Sequence, residues 1–107
     1  MTAEAFLGVL LADLQFPTSR SLKGKRSPVS SLRDVMHGRF KASFSEVGFQ
    51  ETWQRTRVLV TIAASSARQA GEHLDEIDRY LHGREFEVSR VLVKTVAAVE
   101  ALWDIDS

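Results

Sequence analysis

The first apolar stretch, residues 5–16, constrains the fold more than any other part of the chain. Both of its alternating sets of side chains are apolar: Phe6, Leu10 and Leu14 form one set, and Leu7, Val9 and Leu11 form the other. Alternate residues of a strand point to opposite faces of a sheet, so this pattern is typical of a central strand covered on both sides. Pro17 ends the strand because it has no N–H to donate to a neighbour.

An apolar N-terminal stretch is also a feature of targeting segments, but no Lys or Arg precedes this one and Asp13 interrupts it. A signal peptide has a positive N-terminal region, and a membrane span needs about 20 apolar residues. The chain has no cysteine, which excludes disulfides and is typical of a reducing compartment. We therefore expect a soluble cytoplasmic protein with no membrane contact.

The patterns downstream predict two helices and three further strands. Ser27 as the N-cap and Pro28 at the first helical position predict a helix at about residues 27–41. Ser66, with Gln69 as its capping-box partner, begins a second helix that Gly83 ends. The expected strands are a polar edge strand at residues 42–47, a strand rich in β-branched residues at 57–64, and a last strand at 86–96.

The resulting order is β-α-β-β-α-β. With right-handed crossovers it predicts an α+β fold, the ferredoxin-like split β-α-β sandwich, with two helices on one face of a four-stranded antiparallel sheet. We assign residues 1–96 to this single domain and residues 97–107 to an apolar C-terminal tail. The other face of the sheet needs cover from the tail or from a second copy. We favour a homodimer, so one hypothesis is a protein–protein interaction or regulatory module that uses this face.

Charge is distributed unevenly along a chain whose net charge is zero. Residues 20–41 carry seven basic side chains against the single acidic Asp34. The densest part is the predicted loop of residues 20–26, in which the basic side chains are Arg20, Lys23, Lys25 and Arg26. Such cations, next to a helix start, neutralise successive phosphates. The leading hypothesis is therefore contact with RNA or the ribosome, extended by Arg33 and Arg39, and the alternative is an ordinary solvated loop.

Trp53 and Arg55 are secondary candidates for nucleic-acid contact, because an exposed aromatic ring can stack on a base. The alternative, which we favour, is that Trp53 plugs the end of the core with its indole N–H hydrogen-bonded. Base stacking on the sheet itself is not expected. The positions that carry aromatic rings in RNA-recognition domains hold Leu7, Val9, Leu59 and Thr61 here.

Catalytic and cofactor motifs are missing from the sequence. It has no Gly-x-Ser-x-Gly turn and no glycine-rich phosphate loop of Walker spacing. The three histidines do not have the His-x-His or His-x-x-x-His spacing, and no cysteine joins them, so we predict no metal site and no cofactor. We expect a binding module rather than an enzyme.

Five short motifs occur in order between residues 21 and 55, within a resemblance that covers residues 6 to about 95: Ser21-Leu22-Lys23-Gly24-Lys25-Arg26, Ser31-Leu32, Arg39-Phe40, Ser45-Glu46-Val47 and Trp53-Gln54-Arg55. In their order and spacing they resemble the bacterial YlxP-like family, whose function is unknown. The resemblance implies a ferredoxin-like α+β domain with no assigned catalytic residues. Genes of that family often lie among genes for transcription termination, translation initiation and ribosome maturation, which implies RNA or the ribosome as a partner.

Two residues depart from the family's pattern near the first helix. Gly24 stands where the family has Glu, so no capping box from Ser21 is expected. Pro28 falls where a longer helix would have to continue. Both departures favour a late helix start, which leaves residues 20–26 as a basic loop.

Overall fold

A computed structural model describes residues 5–17, 20–84 and 86–103. The elements are β1 (Phe6–Gln15), α1 (Leu22–Gly38), β2 (Ser43–Gly48), β3 (Arg55–Ala64), α2 (Ala67–Leu81), β4 (Glu87–Ala97) and α3 (Ala98–Trp103). The first six confirm the predicted β-α-β-β-α-β order. The predicted tail begins with the last residue of β4 and continues as α3, and its residues 104–107 lie outside the described part.

The four strands form one antiparallel sheet in the order β2-β3-β1-β4. β1 therefore lies between β3 and β4, as the two-sided apolar pattern predicts, and β2 is an edge strand, also as predicted. Antiparallel strands in this order, with α1 and α2 as the crossovers, make a ferredoxin-like α+β sandwich.

The core lies between the sheet and the two long helices. One face of β1 and β3 packs against the inner faces of α1 and α2, and the main buried side chains are Leu10, Leu14, Val58, Val60, Val29, Leu32, Met36, Leu74, Ile77 and Leu81. Helical spacing brings the members from each helix onto one side, and the period-2 pattern does the same for each strand. This layer accounts for only one face of the central strand.

The first helix begins at Leu22, so the predicted start at Ser27 and the predicted basic loop at residues 20–26 are wrong. Ser21 is the N-cap, and its hydroxyl accepts a hydrogen bond from the Gly24 N–H at 3.0 Å. That bond satisfies one of the free donors at the helix start without the glutamate of a full capping box. Pro28 lies inside the helix, where it provides no N–H for the carbonyl of Gly24.

The second helix follows its predicted boundaries. The Ser66 hydroxyl accepts from the Gln69 N–H at 3.0 Å, while the Gln69 side chain accepts from the N–H of Ser65 rather than of Ser66, at 2.9 Å. After α2, Gly83 adopts φ 81°, a left-handed conformation that glycine reaches without a steric penalty. Ser66 as the N-cap and Gly83 as the end of the helix thus have the roles that were predicted for them, whereas the reciprocal bond of the predicted capping box goes to Ser65 instead of Ser66.

Gly8 is the point of closest approach between β1 and its neighbours. A Cβ atom at this position would lie 2.7 Å from Cγ1 of Ile62 and 3.2 Å from Cδ1 of Leu74 in α2. Ile62 is itself buried, so it has little room to move. The absence of a side chain at Gly8 therefore lets α2 pack directly on the sheet.

Gly8→Ala is expected to lower the free energy of unfolding by about 1–3 kcal/mol, because the new methyl group overpacks the contact with Ile62. Gly71→Ala is the matched control, since a Cβ there meets no atom within 4 Å. In the interior of α2 this second change should raise stability by up to about 1 kcal/mol. Urea-induced unfolding measures both, and a stabilising effect of Gly8→Ala would contradict the packing described here.

Candidate functional site

Lys25 is buried, with 3% of its surface exposed, although it belongs to the most basic segment of the sequence. Its Nζ donates to the carbonyl oxygens of Phe49 at 2.8 Å, Arg55 at 3.1 Å and Gln50 at 3.3 Å. It also lies 3.1 Å from Oε2 of Glu46. The ammonium group thus joins α1 to β2, to the turn between β2 and β3, and to the start of β3.

Glu46 completes this internal network. It lies on β2, its side chain is 20% exposed, and it also accepts a hydrogen bond from the hydroxyl of the fully buried Thr56. Each charged or polar group of the network therefore has a partner, as a buried ion pair requires. The structure removes Lys25 from the predicted set of phosphate-contacting residues, because its donors are already used inside the protein.

Three other basic residues of α1 lie along one side of the helix. Lys23, Arg26 and Arg33 are spaced i, i+3 and i+10, which at 100° per residue places them on one face. Lys23 and Arg26 are exposed and Arg33 is half-buried. Together with the exposed Arg20, which precedes the helix, they form a surface that we call the α1 basic edge. Within the described residues, none of its four members forms an ion pair.

A groove of about 510 Å³ separates the α1 basic edge from the β2–β3 turn. Arg26, Ser30 and Arg33 line it on the helix side, and Gln50 and Glu51 line it on the turn side. The Arg33 guanidinium lies 5.5 Å from the centre of the Phe44 ring, which orders that side chain against β2. Since Lys25 neutralises Glu46, Glu51 is the one carboxylate left, among the described residues that line this groove, to oppose the arginines.

Trp53 lies in the β2–β3 turn with 53% of its surface exposed, so the alternative that it plugs the core is wrong. Arg55 is exposed, and its guanidinium lies 4.0 Å from the centre of the Phe49 ring. Phe49 has φ 58°, an unfavourable backbone conformation for a residue other than glycine, and Lys25 holds its carbonyl. The internal lysine therefore fixes the turn that carries both secondary candidates.

Arg39 is separated from the α1 basic edge. It follows α1 as the C-cap residue, and its guanidinium lies 5.0 Å from the Phe40 ring and 5.3 Å from the Tyr80 ring. Sequence analysis grouped Arg39 with the other cations because it is close to them along the chain. In three dimensions it belongs to a second group at the C-terminal ends of α1 and α2.

The histidines do not come together as metal ligands. His73 Nε2 lies 2.7 Å from the carbonyl oxygen of Phe40, and His82 Nε2 lies 3.1 Å from the Asp78 carboxylate. In the residues that the structure describes, no three potential ligands of the His, Cys, Asp and Glu types are grouped as a metal ion would need. Over the same residues, no helix is long and apolar enough to cross a bilayer.

The sheet face opposite α1 and α2 is the second surface of interest, and we call it the open sheet face. In the strand register Leu11 pairs with Leu59 and Leu92, and Leu7 pairs with Ala63 and Val96. Leu92 is 50% exposed and Leu7 is 38% exposed. Helix α3 contacts β1 and β4, but its Leu102 is 63% exposed and Leu7 and Leu92 remain exposed, so the described part of the tail leaves these positions of the face uncovered.

Asp13 and Arg57 form an ion pair at one end of the open sheet face. The Arg57 Nε lies 2.6 Å from Oδ1 of Asp13 and Nη2 lies 3.0 Å from Oδ2, so the contact is bidentate. The hydrogen bond from Arg57 is the main reason that the pKa of Asp13 lies below its usual range, and burial opposes this shift. The pair was not predicted, because it requires the register of β1 and β3. Once Asp13 is known to lie opposite Arg57, a pair of opposite charges on adjacent strands is expected.

The fold and these surfaces define a small ferredoxin-like α+β domain with a basic helix edge and an open sheet face. The chain belongs to the family described as "Protein of unknown function (DUF503)", whose model matches residues 7–95. It is 31% identical over 75 residues to the uncharacterized protein YlxP of Bacillus subtilis (strain 168), which covers 70% of this chain and 80% of that protein. These matches confirm the family resemblance. The structure of a Bacillus cereus protein described as an antibiotic biosynthesis monooxygenase is similar with a TM-score of 0.40 and 14% identity, over 87% of this chain and 91% of that one.

Lys25→Met is expected to lower the free energy of unfolding by about 3 kcal/mol, because it leaves the Glu46 carboxylate and three carbonyl oxygens without a charged donor. Lys23→Met is the matched control: it makes the same chemical change at an exposed position two residues away and should alter stability by less than about 0.5 kcal/mol. Urea-induced unfolding followed by circular dichroism compares the two. Equal stability of both variants would contradict the internal role of Lys25.

Proposed function

We propose that this domain binds RNA through its phosphate backbone, using the α1 basic edge. The observation that carries the proposal is the alignment of Lys23, Arg26 and Arg33 on one side of α1, with no ion-pair partner among the described residues. Cations that have no ion-pair partner break no salt bridge inside the protein when they bind a phosphate. Each one that does so releases counterions from the nucleic acid, which drives association.

The dimensions of the edge suit several phosphates at once. Lys23 and Arg33 are ten residues apart on one helix, which corresponds to about 15 Å along the axis. Phosphates in one strand of a duplex follow at about 3.4 Å along its axis, so this length spans several of them. Arg20 extends the edge beyond the helix start.

The β2–β3 turn offers a base-stacking group beside these phosphate contacts. The Trp53 ring is half exposed, and the turn faces Arg26 and Arg33 across the groove. Because Lys25 ties this turn to α1, the ring and the cations are held on one rigid unit. The central strands carry no aromatic side chain on the open face, so we expect weak sequence preference.

The ribosome is the RNA-containing partner that we propose first, because the family resemblance implies an association with genes of the translation machinery. Such a partner requires a cytoplasmic location. The role is binding rather than catalysis, and no cofactor is needed for it. Co-sedimentation of the native protein with ribosomal subunits at low and moderate salt identifies whether the ribosome is the source of the RNA.

The test of RNA binding is the variant Lys23→Gln/Arg26→Gln/Arg33→Gln, measured by fluorescence anisotropy with a single-stranded RNA of mixed sequence at several salt concentrations. We expect weaker binding and a log–log salt slope smaller in magnitude by about 2, since each phosphate contact on a single strand contributes about 0.7. Glu51→Gln should have the opposite effect and tighten binding, because it removes the carboxylate that faces the two arginines.

The matched control for this test is Arg68→Gln/Arg90→Gln/Lys94→Gln, which removes the same charge from exposed positions on α2 and β4. Because Arg90 and Lys94 lie on the open sheet face, this variant is compared with the parent protein at concentrations at which both are monomeric. It should leave both the affinity and the salt slope close to those of the parent protein. Equal weakening by the two triple variants would show that overall charge, and not the α1 basic edge, determines binding. Unchanged affinity of the first variant would refute the proposed interface.

A second candidate function, a homodimeric interaction module, is favoured by the open sheet face. We propose that a second copy of the chain covers this face, because its central row of Leu11, Leu59 and Leu92 is apolar and the nearby Asp13–Arg57 pair is already neutralised within the chain. Such an apolar row can pack against an identical row across a two-fold axis. Arg90 and Lys94 lie on the same face of the edge strand β4 and are exposed, so in the dimer their charged ends stay in contact with water at the rim of the interface.

Leu92→Glu is expected to shift this protein towards the monomer, because it places a charge in the middle of the apolar row. Val93→Glu is the control, since Val93 is the next residue of β4, is 53% exposed, and points to the other side of the strand. Sedimentation equilibrium over a wide concentration range measures both. A parent protein that remains monomeric at the highest concentration would exclude the dimer.

A further inference from the structure

A second basic group lies where the C-terminal ends of α1 and α2 meet, away from the α1 basic edge. It surrounds a cavity of about 410 Å³. Three arginines line this cavity, Arg39 after α1, Arg79 in the last turn of α2, and Arg84 beyond α2. Three different segments thus contribute one guanidinium each to the same space.

Two aromatic rings hold these side chains in place. Phe40 and Tyr80 pack edge to face with their ring centres 5.5 Å apart. The Arg84 guanidinium lies 4.4 Å from the centre of the Tyr80 ring, and that of Arg39 lies 5.3 Å from the same centre. Stacking restricts a guanidinium plane while leaving its N–H groups free to donate, so the pair is ordered for planar, bidentate contact with an oxyanion.

The charges around the cavity do not cancel. Among the described residues that line it, Glu76 is the one carboxylate against three guanidiniums, an excess of two positive charges within this part of the chain. None of the three arginines forms an ion pair with a described residue. His73, also in the wall, donates from Nε2 to the Phe40 carbonyl, since a carbonyl oxygen can only accept.

We propose that this cavity binds the phosphoryl group of a small phosphorylated molecule. A phosphomonoester carries a charge of about −1.5 to −2 near neutral pH, which matches the excess positive charge of the walls. Arginine suits this ligand because its forked N–H groups pair with two phosphate oxygens at once. The volume lies within the range of about 300–1,000 Å³ that is usual for small-molecule sites.

The ends of the two helices offer a competing explanation for the arginines. The C-terminal end of a helix attracts cations, and both α1 and α2 end at this place. That attraction explains single basic residues in a last turn. It does not explain why guanidiniums from two different segments, those of Arg39 and Arg84, both contact the ring of Tyr80.

The experiment is a titration of the ¹⁵N-labelled protein with sodium phosphate at constant ionic strength, with sodium chloride as the reference and NMR as the readout. We expect saturable shifts of the amide and side-chain signals of Arg39, Arg79 and Arg84 with phosphate only. A second titration uses glycerol phosphate. If the site is specific for phosphomonoesters, glycerol phosphate binds more tightly than inorganic phosphate; if the site is for the free inorganic ion, it does not. Shifts with phosphate that equal those with chloride would overturn the proposal.

Arg39→Gln/Arg79→Gln/Arg84→Gln should weaken phosphate binding by at least about tenfold. The triple variant at Arg68, Arg90 and Lys94 is the charge-matched control and should bind phosphate like the parent. If the first triple variant does not fold, Arg84→Lys keeps the charge but removes the fork, and should still weaken binding severalfold. Unchanged phosphate affinity in either cavity variant would overturn the proposal. RNA binding by the α1 basic edge is measured separately, so the failure of one proposal is distinguishable from the failure of the other.

Discussion

The contact of the Lys25 ammonium with three main-chain carbonyls and Glu46 is the interaction on which the functional surfaces depend. The carbonyls belong to Phe49, Gln50 and Arg55, at or beside the turn that joins β2 to β3. Buried carbonyl oxygens need a donor, and a turn offers fewer than a strand does. One ammonium group satisfies all three and also neutralises a carboxylate on β2. It therefore determines the shape of the turn and its distance from the helix at the same time.

The same contact determines which cations of α1 face solvent. Successive residues of a helix are rotated by 100° about the helix axis. Because Lys25 must point inwards, the directions of all other side chains of α1 are fixed as well. Arg26 and Arg33 are then directed to the side that borders β2, Lys23 is directed to solvent, and Val29, Leu32 and Met36 are directed into the core. Lys25, whose side chain lies inside the protein, thus determines the directions in which the other basic side chains of α1 point.

The difference between the predicted and observed helix start shows what sequence patterns convey. The order of the elements, the central position of β1 and the start of α2 were predictable, because each rests on a local alternation or a cap. The start of α1 was predicted too late, because the capping glutamate is absent and Pro28 is unfavourable inside a helix. The helical spacing of Lys25 with Val29, Leu32 and Met36 indicates an earlier start, but it was given less weight. The cluster of Arg39, Arg79 and Arg84 around Tyr80 could not be predicted, since it requires knowing that the ends of two helices meet.

The two proposed functions do not compete for the same surface. α1 packs on one face of the sheet, and the apolar row of Leu11, Leu59 and Leu92 lies on the other. Two copies joined through their open sheet faces would therefore keep both α1 basic edges accessible, directed away from the interface. Binding of one RNA by both edges would make the second contact intramolecular, which raises affinity without any new kind of contact. The net charge of the domain is zero, so the protein as a whole attracts RNA only weakly. Two α1 basic edges in one dimer would increase the local positive charge and so strengthen binding.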